Sequence, residues 1–167
     1  MGEQQRPTSN FSPNSPGKSG PSDLGDHLGY WLRAVSNHTS LLFQRRVESQ
    51  GVTVAEWVVL RRLYDVDDVH PSELARLLGL SRGAVSKLID RLAAKALVGV
   101  RADPHDGRAQ RLSLSPAGRA LVPVLAALAD QNDAEVFGAL DPTEQAALFT
   151  TLQRLVAQLG LGGAPVD

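Results

Sequence analysis

Residues 71–92 read PSELARLLGLSRGAVSKLIDRL, and this stretch decides the fold. Pro71 suits a first helical turn, where its missing N–H costs nothing; Leu74, Ala75, Leu77 and Leu78 supply an apolar side before Gly79 stops the helix. Ser81 follows as an N-cap, so only Gly79 and Leu80 separate this helix from the next. So tight a turn predicts a helix-turn-helix pair. In the second helix of the pair Val85, Leu88, Ile89 and Leu92 make one apolar stripe, whereas Arg82, Ser86, Lys87, Asp90 and Arg91 lie off it.

On the N-terminal side, Leu24, Leu28, Trp31, Leu32, Val35, Leu42 and Phe43 recur at helical spacing and predict one long helix from Leu24 to about Gln50, ended by Gly51. Thr53 and Glu56 form a capping box that opens a helix through Trp57, Leu60 and Leu63, with Asp65 to Asp68 as a polar connector. On the C-terminal side the period changes. Val98 and Val100, a turn at residues 103–107, then Leu112 and Leu114 predict a two-stranded hairpin. Ser115-Pro116 and Asp141-Pro142 open a fifth and a sixth helix; Leu148, Leu152, Leu155, Val156 and Leu159 give the last a broad apolar face, and Pro123 predicts a kink in the fifth. Residues 1–22, dominated by Ser, Pro, Gly, Asn and Gln, predict a disordered tail. The expected fold is mainly α with a small β-hairpin. A single domain over 23–167 contains a winged helix-turn-helix lobe at 53–114, flanked by dimerisation helices at 23–50 and 115–160.

The net charge of −1 conceals segregation along the chain. Between Arg76 and Arg119 nine Lys/Arg stand against three acids, giving +6 there and −7 elsewhere. A basic block in an otherwise acidic chain marks where a phosphate backbone can dock. The second helix of a helix-turn-helix fits the major groove. Arg82 and Lys87 carry the donors for guanine, and Ser81 and Ser86 can bond phosphate or base. Arg108 falls near the hairpin tip, where a long cation can enter a narrow minor groove.

Leu74-Ala75 with Leu80-Ser81, then Leu88-Ile89-Asp90-Arg91-Leu92, then Asp103-Pro104-His105-Asp106-Gly107-Arg108, then Leu112 to Gly118 form an ordered run that resembles the MarR family of bacterial transcriptional regulators. The resemblance extends from about Leu24 to Leu159. It implies a homodimer whose first, fifth and sixth helices interlock, and a regulator that usually represses and is released by a small ligand. Ser81, Arg82, Ser86, Lys87 and Arg91 fall where that family's recognition helix meets DNA; Asp106 and Arg108 match its wing signature, Asp106 as a residue that holds the wing. The chain departs from the family in three places. Gly83 sits early in the recognition helix, where glycine weakens a helix. Ala96 stands where glycine commonly ends it, so a left-handed terminus there is strained. Val100 takes a position that often holds arginine, with Arg101 displaced to the opposite strand face. Trp31, His38, Trp57 and Tyr64 lie near where the family forms its ligand cleft and are candidate ligand contacts.

Other chemistries have little to stand on. The absence of cysteine excludes disulfides and thiolate metal sites. His27 and His38 lie roughly 16 Å apart along a helix, and His70 and His105 lack partners at metal-ligand spacing, so no metal or other cofactor is expected. Ser115, His105 and Asp103 could be written as a hydrolytic triad, but no nucleophile elbow or Gly-rich oxyanion loop accompanies them, and the chain is not expected to be an enzyme. No apolar run reaches the roughly 20 residues of a membrane helix and no secretion signal is evident, so a cytoplasmic protein is expected. The expected partners are double-stranded operator DNA, a second copy of the chain and a small-molecule effector, with no membrane. The alternative is a dimeric protein-interaction module on a winged-helix scaffold, which the +6 block disfavours.

Overall fold

A computed structural model describes residues 20–66, 68–106 and 109–162. Most of the expected N-terminal tail, residues 1–19, and Arg108 therefore lie outside the described residues. A 3-10 turn at Leu24–Asp26 precedes α1 (Leu28–Glu48), α2 (Val54–Asp65), α3 (Pro71–Leu78) and α4 (Arg82–Ala94); then follow β1 (Val98–Ala102), β2 (Gln110–Leu114), α5 (Pro116–Phe137) and α6 (Pro142–Gln158). The chain divides after Ser40 into two units.

In the first unit the single helix expected from Leu24 is interrupted. His27 is extended, with φ −104 and ψ 121, because the preceding residues close a turn of their own: Asp23 N–H donates to the Asp26 carboxylate at 3.1 Å. The Trp31 indole N–H then donates to the Gly25 carbonyl at 2.8 Å and holds that turn against the start of α1. A helix ladder leaves no such carbonyl available, which is why apolar spacing alone overran the boundary.

In the second unit the apolar stripes meet in one core. Val47, Leu60, Leu63, Leu74, Leu78, Val85, Leu92, Leu112 and Leu125 are fully buried and bring α2, α3, α4, β2 and α5 together. β1 and β2 pair antiparallel with Val98 opposite Leu114 and Val100 opposite Leu112. Val69, between α2 and α3, adds a bridge to Leu112 from the other side. The helix starts follow their caps. Thr53 and Glu56 bond reciprocally, the Ser81 hydroxyl accepts from Ala84 N–H at 3.2 Å, and Ser115 and Asp141 cap α5 and α6 in the same way. α5 continues through Pro123, which is exposed.

Four helix ends share one device. After α1, α3, α4 and α6, a residue in the left-handed region donates to the carbonyl three residues back, and its successor donates to the carbonyl five back. Gly51, Gly79 and Gly160 occupy three of these positions; Ala96, at φ 56, occupies the fourth. Gly118 meets a different demand. A Cβ there would lie 2.0 Å from the Leu97 carbonyl oxygen, so only glycine lets α5 start so close to the chain entering β1.

Two substitutions check this. Ala96→Gly should raise stability by about 1 kcal/mol, because relief of the left-handed alanine outweighs the added chain entropy. Gly118→Ala should lower the urea midpoint well below that of wild type. Equal midpoints for all three proteins would contradict both assignments.

Candidate nucleic-acid interface

The tight turn between α3 and α4 sets the direction of α4. Gly79 adopts φ 68 and ψ 22, and Leu80 N–H donates back to Ala75 C=O at 3.0 Å. α4 then buries Val85, Leu88, Ile89 and Leu92, so the other side of the helix faces outward. Ser81, Arg82, Ser86, Lys87, Asp90 and Arg91 are all exposed there, as their spacing predicted. Gly83 is exposed too and a Cβ on it would meet open space, so packing does not require glycine at that point.

The far end of α4 is anchored by charge. Lys95 Nζ donates to the Glu56 carboxylate at 2.7 Å and to the Gly51 carbonyl at 2.8 Å. Glu56 is 1 % exposed. Burial alone pushes its carboxyl up, but the Lys95 ammonium and the bonds to Thr53 outweigh this and hold it below its ordinary 4.5. This strut joins the end of α4 to the start of α2. Sequence reading missed it because the partners are 39 residues apart.

The hairpin is organised by Asp103, which sequence reading placed in the 103–107 turn and in the wing signature without giving it a partner. Its carboxylate is 5 % exposed; Oδ1 accepts from the N–H groups of His105 at 2.7 Å and Asp106 at 3.2 Å, and Oδ2 accepts from Arg111 Nε at 2.6 Å. The Arg111 guanidinium and these N–H groups hold Asp103 at about 2, and Arg111 is raised in return. His70, N-terminal to α3, brings Nδ1 to the Gln110 carbonyl at 3.1 Å and Nε2 to Asp103 at 3.4 Å. The available signal was Asp103-Pro-His-Asp106, since an aspartate that bonds the N–H two residues on is a turn former. Asp106 is exposed, with its carbonyl accepting from Ala109 N–H at 2.8 Å. Ser115, the supposed nucleophile, donates to the Ala96 carbonyl at 2.7 Å while capping α5.

These pairings divide the basic block. Lys95 is held by Glu56, Arg101 by Asp68, and Arg111 by Asp103 and Asp68. Arg119 lies over the Tyr64 ring, 5.5 Å from its centroid, with Arg61 at 5.9 Å from the same ring. Arg82, Lys87 and Arg91 make no ion pair among the described residues, and neither does Arg76, an exposed cation on α3 that sequence reading counted in the basic block without assigning it a contact. Of the candidate ligand contacts, Trp31 and His38 belong to the first unit, while Trp57 and Tyr64 belong to the second. Trp57 is buried in the core, Tyr64 is 39 % exposed, and Trp31 stacks edge-on with Tyr30 at 5.3 Å. Among the described residues no cluster of three or more His, Asp or Glu is placed to hold a metal ion.

Comparison with known proteins meets this geometry at the same residues. A family model described as MarR family matches residues 50–109, from the end of α1 to the hairpin. The HTH-type transcriptional repressor NicR of Pseudomonas putida is 25% identical over 136 residues, covering 81% of this chain and 86% of that protein. A solved structure of BpsR from Bordetella bronchiseptica, concerned with regulation of its DNA binding by 6-hydroxynicotinic acid, is 30% identical. It covers 81% of this chain and 97% of that one, with a TM-score of 0.69. A mutant MarR from Escherichia coli in complex with operator DNA is 25% identical and covers 77% of this chain and 93% of that one, with a TM-score of 0.68.

The Asp103 geometry predicts a pH dependence. An aspartate held at about 2 against an ordinary 3.8 contributes stability that is complete above about 3.8 and lost as pH falls through about 2. Asp103→Asn should therefore lower the urea midpoint at pH 6 and shrink the drop between pH 4 and pH 2 relative to wild type. Parallel pH curves for the two proteins would refute the clamp.

Proposed function

The chain belongs to the MarR family of transcriptional regulators, and on that basis we propose that it is a homodimeric, sequence-specific DNA-binding repressor released by a small ligand. The observation that carries this reading is the outward side of α4, where Ser81, Arg82, Ser86, Lys87 and Arg91 are exposed and the three cations have no acidic partner among the described residues. An unneutralised cation on a rigid helix attracts phosphate and, near the helix start, reaches base edges. Arg82 and Lys87 read bases, Ser81 and Ser86 bond base or phosphate, and Arg91 fixes register on the backbone. Arg108 contacts the minor groove beside α4, a role that rests on sequence alone. Asp106 helps to hold the wing that carries it.

Dimerisation follows from the apolar surface at both ends of the chain. No residue of α6 is buried, and Leu148, Phe149, Leu152, Leu155, Val156 and Leu159 are between 37% and 65% exposed. Between α5 and α6 a cleft of about 640 Å³ is lined by Phe137, Leu140, Leu148, Phe149 and Leu152 among others. Leu24, Leu28, Leu32 and Val35 are exposed as well. Patches of this kind on a soluble chain mark an interface. Two α4 helices related by a two-fold axis then read a pseudo-palindrome with half-sites about one helical turn apart, roughly 34 Å.

The effector is an aromatic anion. The relative BpsR has its DNA binding regulated by 6-hydroxynicotinic acid. Here Tyr64, 39% exposed, has the guanidinium groups of Arg61 and Arg119 at 5.9 and 5.5 Å from its ring centroid, Arg61 being also paired with Asp65. Trp31, His38 and Trp57 are the further proposed contacts.

A duplex selected from random sequence by the wild-type protein provides the test. Arg82→Ala and Lys87→Ala should each lose about 1–3 kcal/mol per contacted base and relax sequence preference, whereas Arg108→Ala should weaken binding across sequences and flatten its salt dependence. Unchanged affinity in all three would remove the DNA-binding reading. Deletion of residues 142–167 should convert a dimer to a monomer in light scattering at micromolar concentration. A truncated chain that still dimerises would remove α6 from the interface.

A further inference from the structure

In the antiparallel register Arg101 stands directly opposite Arg111. Residues so opposed project from one face of the hairpin, and like charges there repel. What offsets the repulsion comes from outside the hairpin. Asp68 Oδ2 lies 2.7 Å from Arg101 Nη2 and 3.6 Å from Arg111 Nη1, and the Asp68 carbonyl accepts from the same Arg111 at 3.0 Å. Its Oδ1 is buried and accepts no hydrogen bond, and although the side chain as a whole is 36% exposed, the two arginines at Oδ2 are the ion-pair partners that the carboxylate has among the described residues.

The backbone at Asp68 is left-handed, with φ 63, a conformation that aspartate tolerates better than most residues. It leads into Val69, whose N–H and C=O both bond Leu112, and into His70, whose ring reaches the Gln110 carbonyl. Three successive residues thus strap β2 to the start of α3.

We propose that Asp68 is a charge latch: it holds Arg101 against the α2–α3 connector and away from DNA, and lets the hairpin carry two opposed arginines. Arg101 is accordingly a positioning residue, and it does not stand in for the DNA-contacting arginine that the family often has at the position of Val100. The statement about DNA rests on the function proposed above; the latch itself does not.

The test uses the full chain with Asp68→Asn, Arg101→Gln and the pair together. Asparagine also tolerates a left-handed backbone, so the conformation at residue 68 is retained. Asp68→Asn should lower the urea midpoint in the wild-type background, and by clearly less once Arg101 is glutamine, because the repulsion it uncovers is then gone. Additive effects would overturn the latch. Binding of the selected duplex between about 50 and 200 mM salt reads the second half, since each phosphate contact adds about one to the slope of log affinity against log salt. Arg101→Gln should leave the slope at the wild-type value. A slope reduced by about one or more would make Arg101 a phosphate ligand and overturn the proposal. If the wild-type protein shows no salt-dependent DNA binding, the proposed function fails, and the unfolding cycle still decides the latch.

Discussion

Burial of Val85, Leu88, Ile89 and Leu92 is the constraint from which the remaining arrangement follows. Once that stripe packs on α2, α3 and β1, α4 has no rotational freedom left, and every residue off the stripe is turned to solvent. The turn before α4 and the strut after it complete the constraint. Gly79 fixes where the helix begins, and the Lys95–Glu56 pair fixes where it ends. A helix so held presents its polar side chains without the entropy loss that a mobile segment suffers on binding.

Electrostatics then sorts the basic block by role. Cations paired with acids, as Lys95, Arg101 and Arg111 are, have their charge partly offset before any ligand arrives. Cations on α4 keep theirs. The +6 of the sequence is therefore an overstatement of the field near α4, yet its sign and location survive. The same sorting explains why α3 and the hairpin form one body, since Asp68, Val69 and His70 each bond or pair with the hairpin and Asp103 closes its turn.

Local chemistry was legible in the residues and distant pairing was not. The caps at Thr53, Ser81, Ser115 and Asp141 and the left-handed stops at Gly51 and Gly79 are decided within a few residues, so sequence spacing located them, whereas the stop at Ala96 came from the family resemblance. The 3-10 turn at Leu24 escaped notice because the apolar period continues through it and only the Trp31–Gly25 bond reveals the break. Asp103 and Asp68 escaped for another reason. Each becomes important through an arginine brought near by hairpin register, and register is a property of paired strands, which one strand's sequence does not display. On α4 the polar positions were readable because a single helix sets both its buried and its exposed side. The arginine at 101 was not readable, since its partner lies on another element.

A transcriptional regulator of this family, with cations on α4 that are unpaired among the described residues, presents its candidate chemistry at a surface. In the function proposed above, specificity depends on two copies of one rigid helix at a fixed spacing, which makes the footprint on DNA the direct expression of that proposal. Hydroxyl-radical footprinting of the full-length protein on a duplex enriched from random sequence reads that expression at single-nucleotide resolution. Two symmetric protected segments about one helical turn apart, on an inverted repeat, are the expected result. An unprotected duplex, or a single protected segment on a sequence without symmetry, would contradict the assignment of α4 as a paired reader of DNA.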